Sequence, residues 1–214
     1  MRSPPDWWKK WKPLRWLAGL GLIAAFSAAI SPYFISTEIE APKDAPDEYH
    51  FTMPTGQPLA LLDSFHSYDK IETVQEALSA AGYTAQLLRN HKPHSSKYPP
   101  RDLDSLIVVQ YRHLGVDGRL DLNFYNGYLF QAVFDVSKAE PYAAALESAE
   151  PALKRSKLGT AEAVDGKRRV LTNVYYSAGP VGRAAGSSGW VMWQDLKLVK
   201  LRDEWEAQFG LITP

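Results

Sequence analysis

From Trp16 to Thr37 no charged residue occurs, and Trp16-Leu17-Ala18-Gly19-Leu20-Gly21-Leu22-Ile23-Ala24-Ala25-Phe26, continued through Ala28, Ala29 and Ile30, is apolar throughout. About 20 such residues at ~1.5 Å rise each cross the ~30 Å hydrocarbon core of a bilayer. The pattern therefore predicts a transmembrane anchor over residues 16–36. Trp7, Trp8, Trp11 and Trp16 stand beside lysines at one end, with Tyr33 and Phe34 at the other, as interfacial anchors do. A cleaved secretory signal is the rival reading, because Ser27-Ala28-Ala29 offers small residues to a peptidase. The tryptophan-rich flank and the continuation to Ile35 favour the retained span.

Beyond the span the pattern breaks and then resumes with other periods. Residues 37–58 hold Pro42, Pro46, Pro54 and Pro58 among acidic residues, the composition of a stiffened, solvated tether. Within Asp69 to Gly82, Ile71, Val74 and Leu78 recur at helical spacing and Gly82 follows as a stop signal. Strands are expected at Tyr83–Leu88, Leu106–Tyr111, Leu120–Tyr125 and Tyr128–Phe134, the last two joined by Asn126-Gly127 as a two-residue hairpin. That turn opposes Phe124 to Leu129, Leu122 to Gln131 and Leu120 to Val133, leaving Tyr125, Tyr128, Phe130 and Phe134 for the other face.

A second helix is expected from Pro141 through Leu153, ended or kinked at Pro151. Strands at Arg169–Tyr176 and Gly189–Trp193 follow, with a mobile glycine-rich connection over Gly179–Gly189. A last helix is capped by Asp195 and carries Leu198, Leu201, Trp205 and Phe209 on one side. Helix-then-strands thus occurs twice, and the fold class read from the pattern is α+β: two helix-plus-antiparallel-strand halves able to share one sheet. No residue-level identity links the halves. The organisation is a basic segment (1–15), an anchor (16–36), a tether (37–58) and an α+β domain (59–214).

Charge sets the orientation. Residues 1–15 carry Arg2, Lys9, Lys10, Lys12 and Arg15 against Asp6, whereas residues 36–50 carry Glu38, Glu40, Asp44, Asp47 and Glu48 against Lys43. By the positive-inside rule the N-terminus stays in the cytoplasm and the domain is translocated, into the periplasm of a bacterial host. Over the whole chain 24 cations balance 24 anions, which gives no footing for nucleic acid. The absence of cysteine excludes disulfides, thiolate metal sites and a cysteine nucleophile.

Chemical motifs are weak. His91 and His94, with Asp102 or Asp104, form a sparse metal motif, since a metal needs three or four converging ligands, and a solvated loop is preferred. The Gly179–Gly189 stretch lacks the Gly-Lys-Ser/Thr of a nucleotide loop, and Ser64, His66 and Ser67 read as the lead-in to a helix start at Ser67 or Asp69. No catalytic, cofactor or metal residue is assigned. Interface candidates are Gly19 and Gly21 in the span, whose small size admits a second helix, and Arg183, Trp190, Tyr125 and Tyr128 in the domain. Trp193 and Trp205 are assigned to the core. The leading expectation is a single-pass inner-membrane protein that binds the bilayer and helps assemble or stabilise an envelope membrane-protein complex. An envelope hydrolase with a site formed only on folding, or a small-ligand or metal-binding domain, ranks second.

Overall fold

The computed structural model describes residues 56–92 and 98–210. The expected anchor with Gly19 and Gly21, nearly all of the tether, and His94 lie outside the described residues. Among the described residues no helix is long and apolar enough to cross a membrane.

Two short strands, β1 (Ala60–Leu62) and β2 (Phe65–His66), form a hairpin and lead to helix α1 (Ile71–Ala80). A meander follows: β3 (Gln86–His91), β4 (Asp102–His113), β5 (Val116–Tyr125) and β6 (Tyr128–Val136). Helix α2 (Ala139–Ala149) opens the second half, with β7 (Lys154–Arg155), β8 (Ala161–Asp165) and β9 (Arg168–Thr172). Two single-turn helices, α3 (Val174–Ala178) and α4 (Pro180–Ala184), precede β10 (Gly189–Asp195) and the terminal helix α5 (Leu196–Phe209). The eight longer-range strands make one antiparallel sheet in the order β3-β4-β5-β6-β10-β9-β8-β7. Each half thus opens on a helix and contributes four strands to the sheet, and the halves join where β6 pairs with β10.

Local chemistry explains the boundaries. Helix α1 buries Val74 and Leu78 and stops where Gly82 turns to φ +81°, letting Tyr83 N–H reach Leu78 O at 2.9 Å. Its start is not capped as the sequence led us to expect. Asp69 instead accepts the His66 N–H at 2.7 Å and Ser67 accepts that of Leu59 at 2.9 Å, so both side chains fix the β1–β2 hairpin. Helix α2 tolerates Pro141 in its first turn and ends before Pro151. Helix α5 is capped as its sequence implies, Asp195 accepting from Lys197 N at 2.9 Å.

The Asn126-Gly127 turn forms with φ +49° and +81°, and Phe124 does face Leu129. Beyond that pair the register departs from the simple hairpin. A bulge leaves Phe130 unpaired, so Leu122 faces Ala132 and Leu120 faces Phe134. The shift carries Phe134 into the main core and keeps Gln131 out of it. The strand expected at Arg169–Tyr176 ends early, because Thr172 Oγ1 accepts the Val174 N–H at 3.0 Å and starts α3. Within the glycine-rich connection, Pro180–Ala184 forms α4. Gly182 packs so closely on Tyr176 and Ser177 that a Cβ there would collide with their backbone.

One face of the sheet is roofed by α1, α2, α3 and the β1–β2 hairpin, enclosing Leu106, Val108, Leu120, Leu122, Phe124, Ala132, Phe134, Val170, Val191 and Trp193. Among the described residues α5 is the helix that covers the other face, and only at one end.

Candidate interaction surface

Strand alternation turns every second residue of each strand to the second face. Two transverse rows define it. One runs Ile107, Asp121, Val133, Met192, Leu171, Glu162 across β4, β5, β6, β10, β9 and β8, and the next runs Ser105, Asn123, Gln131, Gln194, Arg169, Val164. Helix α5 crosses beside the second row. Its Leu198 is buried with Tyr125 and Phe130, against Tyr68, Leu103, Val199 and Leu201. Further along, Trp205 and Phe209 bury against Tyr98, Trp205 Nε1 donates to Pro99 O at 2.8 Å, and Arg101 bonds Glu206 at 2.7 Å.

This cover accounts for one of the aromatic candidates. Tyr125 is 3 % exposed under α5, where burial pushes its hydroxyl up to about 12 against the opposing field of Arg101. It is a packing residue rather than an accessible one. Tyr128 is half-buried at the hairpin, bridged to Lys70.

Trp190 lies beyond the reach of α5. It faces Asp135 on β6, which faces Arg119 on β5, and it is half-buried on the open part of the sheet. Val133, Met192 and Leu171 adjoin it in the same state, and Val109, raised by a bulge in β4, is 69 % exposed. The charges around this strip are paired in-plane: Arg119 grips Asp121 through two bonds of 2.8 Å, and Arg169 meets Glu162 at 2.7 Å. Partial burial, then the neighbouring Asp121, raises the Asp135 carboxyl above its ordinary value. Toward β3 the face deepens into a groove of about 630 Å³ lined by Leu88, Asn90, Leu103, Ser105, Asn123, Phe130, Gln131 and Arg202. Its floor is polar, with Ser105 donating to Asn123 at 2.7 Å and Gln194 to Gln131 at 3.2 Å.

The remaining candidates lie elsewhere. Arg183, on α4, pairs with Glu140 at 2.9 Å on the helix-covered side, in the cleft between the α2 start and Gly186–Gly189. It does not join Trp190 in one patch. His91 bonds Asp104 at 2.7 Å and lies 3.6 Å from Asp102, an internal pairing across β3 and β4. Among the described residues no group of three acidic or imidazole side chains is arranged to hold a metal.

A polar network missed by sequence reasoning sits under the hairpin. Asp63, in the β1–β2 turn, accepts from Tyr111 at 2.6 Å and lies 3.7 Å from His113, whose Nδ1 meets the Tyr142 hydroxyl at 2.6 Å. Nearby, Glu150 accepts from Arg168 at 2.5 and 3.1 Å and from Trp193 Nε1 at 3.0 Å, and Arg168 Nε reaches Ala60 O at 2.7 Å. Burial lowers the His113 pKa, with Asp63 and Glu150 pulling against it. Burial works to raise that of Glu150, but its bonds from Arg168 and Trp193 prevail and hold it below the carboxylate range. His113 is 7 % exposed and ringed by Phe134, Tyr142 and Trp193 at 5.4–5.6 Å. These residues form a clamp joining hairpin, β4, α2, β9 and β10, buried at His113 and Tyr142 and open to solvent at Asp63.

No family model, curated protein or solved structure matches this chain.

Proposed function

We propose that the chain is a single-span, N-terminus-inside membrane protein whose α+β domain, on the far side of the membrane, docks onto an envelope membrane protein and helps assemble or stabilise its complex. The observation that carries this reading is the part of the sheet that no described residue covers, where Trp190, Met192, Val133 and Leu171 form an apolar strip across three strands, rimmed by self-paired charges. Such strips on a monomer mark contact surfaces, with a tryptophan as the usual anchor. The apolar segment 16–36 and the prolines of the tether support the membrane placement. The enclosure of His113 and Tyr142 gives the enzyme reading less to work with.

The test is mild-detergent extraction of the native chain, with mass spectrometry of the intact protein and its companions. Stoichiometric companions and a Met1-containing chain are expected, with companions lost from a Trp190→Ser/Met192→Ser variant and kept by Leu158→Ser, a change at an 80 % exposed position away from the strip. A solitary protein beginning near Ile30 sinks the proposal.

A further inference from the structure

The two ends of the sheet differ. At one, β7 is only two residues long and both are basic, a blunted edge. At the other, β3 runs six residues without proline or bulge, and among the described residues no strand pairs with its outer side. Lys92 N–H bonds Arg101 O at 3.1 Å. In an antiparallel ladder both main-chain groups of a residue point the same way, alternating along the strand. The even-numbered residues of β3 therefore face β4, and Leu87, Arg89 and His91 present their N–H and C=O groups outward.

The side chains specify what that edge accepts. Arg89 and His91 share the helix-covered side; His91 is engaged by Asp104, whereas Arg89 meets no acid at ion-pair distance among the described residues. On the other side Leu88 is 45 % exposed at the mouth of the groove floored by Ser105 and Asn123. The strand carries no acid. Two copies pairing edge to edge bring cations against cations, whereas an acidic strand brings complementary charge.

We propose that β3 receives, by strand addition, an extended segment of the partner protein in which acidic and apolar residues alternate: acids beside Arg89, apolar side chains beside Leu88 and into the groove. This rests on the docking function proposed above, and it names a second contact besides the Trp190 strip.

The test uses the full-length chain in detergent micelles and a fluorescent blocked peptide, Thr-Val-Glu-Val-Glu-Val-Thr, followed by anisotropy and amide hydrogen exchange. Saturable binding is expected, with slowed exchange at Leu87, Arg89 and His91 and none gained with a lysine-for-glutamate peptide. Arg89→Pro, which removes one outward N–H and leaves the β4 ladder intact, weakens binding by roughly tenfold or more. Arg89→Gln, which keeps the backbone, weakens it severalfold and flattens its salt dependence. Unchanged binding in both variants, no protection of the three amides, or protection that rises with protein concentration without peptide each overturns strand addition, the last in favour of a second copy. Companions retained in native extraction while the peptide fails leave the docking function standing. Peptide binding by a chain that extracts alone leaves the edge standing and removes the complex.

Discussion

His113 shows how one residue carries two structural consequences. Its imidazole bridges toward Asp63 in the hairpin turn and Tyr142 on α2, and Glu150 is the other charge that bears on it. Because burial lowers its folded pKa below the ordinary 6.5, the unfolded chain binds the proton more readily. The stability that this site contributes is in place above about pH 6.5 and is lost as pH falls below it, toward the folded value. Glu150, held below its ordinary 4.5, adds a loss of the same sign at lower pH. Urea midpoints should therefore fall between pH 7.5 and 5.5, and a His113→Gln variant, though weaker at pH 7.5, should show a flatter profile. An equal slope in both proteins removes His113 as the cause. The clamp was hidden in the sequence for a particular reason. Simple alternation from Leu106 and Val108 sends Gln110 and Arg112 inward, and only the β4 bulge turns Tyr111 and His113 to the core instead.

Among the elements, α5 was the most legible and matters most for the surface. Its cap at Asp195 and its stripe of Leu198, Leu201, Trp205 and Phe209 are local patterns, readable because 3.6-residue periodicity needs no knowledge of the partner. What the helix covers was not readable. Trp205 stacks edge-on to Tyr98 at 6.0 Å and bonds Pro99, fastening the far end of α5 near β4. Trp205→Ala should cost about 3–5 kcal/mol by denaturant titration. It should also raise dye binding as Tyr125 and Phe130 are uncovered. A loss under about 1 kcal/mol means that α5 is held by its first two turns alone. The glycine-rich connection is the converse case: its composition reads as a loop, yet the close fit of Gly182 against Tyr176 and Ser177 of α3 accompanies a turn of helix, α4, within it.

On the scale of the whole domain, the two helix-plus-strands halves are fused through six residue pairs of β6 and β10 and through one core. Unfolding should be one cooperative transition, with the fluorescence of Trp190, Trp193 and Trp205, read in a variant whose Trp7, Trp8, Trp11 and Trp16 are phenylalanine, coinciding with far-ultraviolet circular dichroism. Separate midpoints mean that the halves melt independently. By itself the sequence determined the α+β class, the paired halves, the Asn126-Gly127 turn, the last helix and the burial of Trp193 and Trp205, because hydrophobic period and turn chemistry act within a few residues. Only the tertiary structure decided that β6 meets β10, that bulges in β4 and β5–β6 reassign Tyr111, His113 and Phe134 between faces, that α5 hides Tyr125 without reaching Trp190, and that β3 ends the sheet among the described residues. Those choices depend on which surfaces bury most when brought together from distant parts of the chain, and a one-residue slip, invisible to local pattern, exchanges the two faces of a strand.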